Sequence, residues 1–166
     1  MSISSHLTPE PERRLWIILE NMRQAVESND RKIAALTVFA AAELAFFRPG
    51  GFVAFVLAVA LPLGVFAFMP LSGKPNWLPF IGTLKETHTI DDCMIAAADI
   101  ARYTHSELIH RYDKYLGGGI TATPYHEDIV GQIVVSARIA VRKQKLFRLI
   151  GALVGLGQLG LFFHLI

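Results

Sequence analysis

A single cysteine, Cys93, stands in 166 residues, and charged side chains make up only 18% of them. A lone thiol excludes an intramolecular disulfide framework. Soluble domains usually carry roughly 25% charge. The little charge present is balanced, since 16 Lys+Arg against 14 Asp+Glu leave a net +2. That balance argues against a strongly basic nucleic-acid-binding surface. Metal signatures are missing as well. The six histidines give one Glu-x-x-His pair, Glu107 with His110, without the second copy that a helical di-iron site uses. Gly117-Gly118-Gly119 lacks the Gly-Lys-Ser/Thr ending of a phosphate loop and reads as a helix stop. Tyr125-His126-Glu127-Asp128 has neither a nucleophile nor an orienting partner, so it reads as a polar helix start. No hydrolase, kinase or redox motif is found, and the expectation is a non-enzyme without a metal or other cofactor.

Apolar residues are abundant, at 52% of the chain, which excludes intrinsic disorder. They concentrate in three stretches. Ile33 to Phe47 is 15 residues with one acid, Glu43; Phe52 to Met69 is 18 residues without a charge; Leu146 to Ile166 is 21 residues with Arg148 near its start. A membrane-spanning helix needs about 20 mostly apolar residues. The second and third stretches meet that requirement and are apolar all round, unlike a helix on a small soluble bundle. The first meets it when Arg31, Lys32 and Arg48 snorkel at its ends. The expected fold is therefore all-α and multi-pass, with three transmembrane helices over about 31–47, 52–69 and 146–166. Fourteen of the 16 basic residues lie within residues 1–32 or between the second and third spans. Positive-inside bias then puts the N-terminus and the central segment in the cytoplasm and the C-terminus outside.

The remaining segments read as helical and cytoplasmic. Residues 1–32 show Leu15, Ile18, Leu19, Met22 and Val26 at helical spacing, with Trp16 beside that face. Residues 33–69 form the membrane hairpin, and residues 70–145 form a cytoplasmic loop and helices that suit a sensor. Three prolines between Pro70 and Pro79 forbid a regular helix there, and Trp77 suits an interfacial anchor. One helix is expected from near Thr89, through Ile90, Met94, Ala97, Ala101, Leu108 and Tyr112, to the triglycine. A second is expected from Tyr125 to Ile166 without a break, about 63 Å long, with Ile129, Ile133, Ala137, Ala140 and Gln144 on one stripe. Three polar residues fall within the membrane stretches. Glu43 lies about one turn from the outer end and is expected to reach the interface, and Arg148 lies near the inner end. Gln158 lies deeper, where an amide needs a neighbouring helix. Gly151 and Gly155 give a G-x-x-x-G spacing that permits close helix approach.

Two runs carry a family resemblance. Asn29-Asp30-Arg31-Lys32-Ile33-Ala34-Ala35, leading into the first span, is similar to the Asp-x-Lys-Ala motif of Pycsar-type transmembrane effectors, with Ile33 standing between Lys32 and Ala34. Asp128 to Lys143, leading into the terminal span, resembles the long final helix of that family, and the order of elements agrees over most of residues 25–166. The resemblance implies an antiphage effector in the bacterial inner membrane. It would respond to a cyclic pyrimidine mononucleotide (cCMP or cUMP) made by a companion cyclase, and would impair membrane integrity, causing abortive infection. The implied partners are the lipid bilayer, the cyclic nucleotide and further copies of the chain, with no nucleic acid. A constitutive membrane scaffold, or a toxin-like pore restrained by a partner protein, is the competing reading. The family motifs do not identify ligand residues. From chemistry alone, a cyclic phosphate needs a cation and a base needs an aromatic or amide group. Arg102, Tyr103, Arg111, Tyr112 and Arg138 are the cytoplasmic candidates for ligand contact, set against an ordinary charged helix face.

Overall fold

The computed structural model describes residues 10–69, 92–116 and 123–165, and these are helical with no strand among them. Among the described residues five helices follow in order: α1 (Glu10–Phe47), α2 (Gly51–Ala67), α3 (Ala97–Ile100), α4 (His105–Leu116) and α5 (Pro124–Leu165). Two compact units emerge. Unit 1 comprises Met1–Ala25 and Leu84–Val141, and unit 2 comprises Val26–Thr83 and Arg142–Ile166, so α1 and α5 contribute residues to both.

Unit 1 is built around a buried helical core. Leu15, Ile18, Leu19 and Met22 of α1 recur every three or four residues and are buried with Leu108, Ile109 and Tyr112 of α4 and Ile129, Val130, Ile133, Val134 and Ala137 of α5. Gln144, expected on the same stripe of α5, is exposed instead. The helix expected to run unbroken to the triglycine is in fact interrupted. Asp92 to Ala96 form turns, α3 is four residues long, and α4 starts afresh at His105. Local chemistry explains the break. The Thr104 N–H donates to Glu107 Oε2 at 3.0 Å and the Glu107 N–H donates to Thr104 Oγ1 at 3.4 Å. This reciprocal capping box fixes a new helix start. Thr89 and Ile90, the Pro70–Pro79 passage with Trp77, and Gly117–Gly119 lie outside the described residues.

Unit 2 holds the second half of α1, all of α2 and the second half of α5. α1 continues unbroken for 38 residues through position 32, where the membrane hairpin is expected to begin. Ile33, Ala40, Leu57, Ala60, Ala67, Leu146, Ile150 and Val154 form its core. The turn between α1 and α2 has Arg48 at φ +42° and Gly51 at φ +58°; only glycine adopts the left-handed region without a steric cost. Glycines also set the close packing. A Cβ on Gly157 would come within 2.7 Å of Leu57 Cδ2, one on Gly160 within 2.5 Å of Val53 Cγ2, and one on Gly64 would run into the Thr37 hydroxyl. Of the G-x-x-x-G pair, Gly151 faces Leu36, while a Cβ on Gly155 would meet nothing.

The two units differ most in what they show outside. Fourteen of the 20 exposed large hydrophobic residues among the described ones belong to unit 2, including Phe39, Phe46, Phe52, Phe55, Phe162 and Phe163. Apolar patches on that scale mark a surface that is covered by something other than water. Over Pro124–Phe163, α5 is long and apolar enough to cross a membrane, whereas α2 is apolar but only 17 residues long. In α1 the apolar part begins only after Arg31 and Lys32.

Candidate functional site

In unit 1, three of the five expected ligand residues come together where α3 passes into α4. Tyr103 is buried, and its hydroxyl donates to Asp92 Oδ2 at 2.8 Å. The Arg111 guanidinium lies over the Tyr103 ring at 5.5 Å from its centroid, within cation–π range. Arg138, reaching across from α5, donates to the Tyr103 carbonyl at 2.9 Å and to the Ala101 carbonyl at 3.3 Å. Its guanidinium thereby closes the turn that ends α3. Arg102 stands apart and faces Asp99 at 3.9 Å. Tyr112 is fully buried, and its hydroxyl donates to the Met94 carbonyl at 2.9 Å, which ties the turn to the core. Burial, and then the hydrogen bond to Asp92, push the Tyr103 phenol above its ordinary value, while Arg111 pulls it down. Burial pushes the Tyr112 phenol up further still.

None of these five residues lines the groove of about 400 Å³ in the same unit. His105, Glu127, Asp128, Gly131, Gln132, Val135 and Ser136 line it. His105 Nε2 lies 2.9 Å from the Glu127 carbonyl. A carbonyl only accepts, so this nitrogen carries the hydrogen. A Cβ at position 131 would sit 3.4 Å from the same nitrogen, so glycine lets the imidazole lie against α5. Arg23 of α1 donates to Gln132 Oε1 at 3.4 Å, which brings a cation to the groove wall. Six of its seven lining residues, Glu127, Asp128, Gly131, Gln132, Val135 and Ser136, recur at helical spacing on one face of α5, and only His105 of α4 is brought to them by tertiary placement. Among the described residues, no three His, Cys, Asp or Glu side chains gather as a metal site would require.

Unit 2 joins the two runs quoted for the family resemblance. Lys143 Nζ donates to Asp30 Oδ1, and the lysine is buried. Lys32 of the first run lies 6.0 Å from the centroid of the Phe147 ring, just beyond the second. Glu43 does not reach outward as expected: it is 4% exposed, and its Oε2 is buried without a hydrogen-bond partner. Gln158 Nε2 is likewise buried and unpartnered, and Arg148 is exposed.

No curated protein and no solved structure matches the chain. A family model described as the Pycsar effector protein domain matches residues 14–166, which takes in both units, the Asp30–Lys143 pair and the groove. The chain belongs to the family of Pycsar effector protein domains.

Proposed function

We propose that this protein is the membrane-acting effector of an antiphage system, switched on by a cyclic pyrimidine mononucleotide from a companion cyclase. The family match over residues 14–166 carries this reading. At family level it supports an effector in cyclic-nucleotide antiphage signalling; the pyrimidine ligand and the damage to the inner membrane are the proposal. The apolar exterior of unit 2 supports lipid as its surroundings. Three spans with the N-terminus inside follow when α1 from Arg31 onward and α2 cross beside α5. The short first and second spans then require local thinning or snorkelling at their ends. We place the trigger in unit 1 and assign no enzymatic step to it. The chain acts as a switch, and a switch needs a ligand that binds one state better than the other.

Within unit 1, the groove suits the nucleotide better than the five arginines and tyrosines do, because Arg138, Tyr103 and Tyr112 already hold the α3–α4 turn together. Gln132, Ser136 and Asp128 offer the mixed donors and acceptors that a pyrimidine edge needs. Arg23 offers a cation for the cyclic phosphate, offsetting the two carboxylates nearby. Arg102 and Arg111 remain second candidates for the phosphate. Gln132→Ala should weaken the response to ligand at least about tenfold, a loss of one or two hydrogen bonds.

The test is membrane potential in cells that express the chain with an inducible pyrimidine cyclase. Depolarisation only when the cyclase is induced supports the gated effector. Depolarisation without any nucleotide indicates an unregulated pore, and an unchanged potential despite confirmed insertion indicates a scaffold. Either of those outcomes overturns the proposal.

A further inference from the structure

In unit 2, two contacts set the local register of α1 against α5. Lys32 meets Phe147, and Leu36 Cδ1 lies 3.7 Å from the Cβ position of Gly151. Both pairs are 115 positions apart. Seven residues make about two turns of helix and return to nearly the same face. Two turns beyond Leu36 and Gly151, the same seam therefore brings Glu43 opposite Gln158. The acceptor Glu43 Oε2 and the donor Gln158 Nε2 are both buried and unpartnered. The register and the unmet hydrogen bonding are independent observations, and they coincide at one level.

Nothing in the surrounding helices offers a countercharge. No residue of α2 is charged, and α5 has no charged residue from Leu149 to Phe163. Arg48 is exposed, in the turn beyond the end of α1. On α2, Val56 and Leu57 are buried and apolar. A carboxyl group in such a place is costly unless something positive joins it. A carboxylate oxygen is the hard donor that a proton or an alkali cation prefers, and the Gln158 N–H is a hydrogen-bond donor suited to hold that carboxylate.

We infer that Glu43, held by Gln158, forms an intramembrane binding site for a monovalent cation, and that charge passes through this site when the effector is active. The inference rests on the membrane-impairing reading above and adds to it the species that moves and the residues that select it.

The experiment uses the 166-residue chain in sealed liposomes, activated with cCMP or cUMP. A potential-sensitive dye reports charge flux under separate potassium and chloride gradients, and a trapped pH dye reports protons. The expected result is flux of potassium, of protons or of both, with chloride excluded. Flux of protons alone identifies the proton as the cation, and potassium flux identifies an alkali cation. Glu43→Gln should lower the flux at least about tenfold, as expected for loss of an intramembrane charge partner, while Glu43→Asp retains part of it. Chloride-selective or unselective flux through the unsubstituted chain overturns the inference without reference to any variant. So does a folded Glu43→Gln chain that conducts normally. A silent unsubstituted chain would instead overturn the membrane-impairing reading on which the site depends.

Discussion

At the scale of single residues, the least replaceable positions are the ones where one atom more or less meets something fixed. The Thr37 hydroxyl donates to the Ile33 carbonyl at 2.8 Å, which holds it in the path of any Cβ on Gly64. Gly64→Ala should therefore lower stability by about 1–3 kcal/mol, the usual cost of overpacking. Thermal unfolding in detergent measures it, and Thr37→Ala in the same chain should restore much of the loss. Thr104→Ala removes the cap of α4 and should cost about 1 kcal/mol by the same assay. The two raised phenols make a pH prediction. Tyr103 and Tyr112 both stand above the ordinary tyrosine value of 10.0 when folded. The folded state thus keeps protons that the unfolded chain releases, and the stability they contribute is whole below about pH 10 and falls as the pH rises beyond it. Tyrosinate absorbance against helix content should show this loss, and Tyr112→Phe should flatten it.

At the scale of elements, the sequence was readable where one local rule acted alone. Pro124 and the absence of any breaker up to Leu165 suffice for α5, which is one helix of 42 residues. The interruption before α4 was equally written, in Thr104-His105-Ser106-Glu107, but the apolar spacing from Met94 to Tyr112 pointed the other way. A capping box with two reciprocal hydrogen bonds outweighs a periodicity that a turn can also satisfy. Glu107 acts in that cap, so its spacing to His110 has a structural cause. The Asp30–Lys143 pair lay beyond sequence reasoning, since 113 positions separate its members. The groove was half legible: Asp128, Gln132 and Ser136 follow one another every four residues on a face of α5, whereas His105 of α4 joins them only through the packing of distant segments. Asp30→Ala leaves the buried Lys143 ammonium without its carboxylate and should cost about 1.5–3 kcal/mol. Thermal unfolding in detergent is again the check, and loss of the charge pair in Asp30→Asn should cost nearly as much.

At the scale of the whole molecule, the contrast between the two units is the central fact: unit 1 encloses its apolar residues, and unit 2 turns many of them outward. Family membership and this contrast together point to membrane localisation; on the proposed function, unit 1 is the ligand-responsive part and stays in water. Orientation is open to a direct check, because Cys93 is exposed and no other cysteine competes with it. A membrane-impermeant maleimide should leave it unlabelled in intact cells and label it in inverted vesicles; the opposite pattern would reverse the proposed topology. The most direct measurement is made on the purified chain in liposomes that hold a potential. Nucleotide is added on the side that unit 1 faces. The potential should collapse with a cyclic pyrimidine nucleotide and hold with a cyclic purine nucleotide. An equal leak without nucleotide, or a potential that survives every nucleotide despite confirmed insertion, would contradict the gated effector.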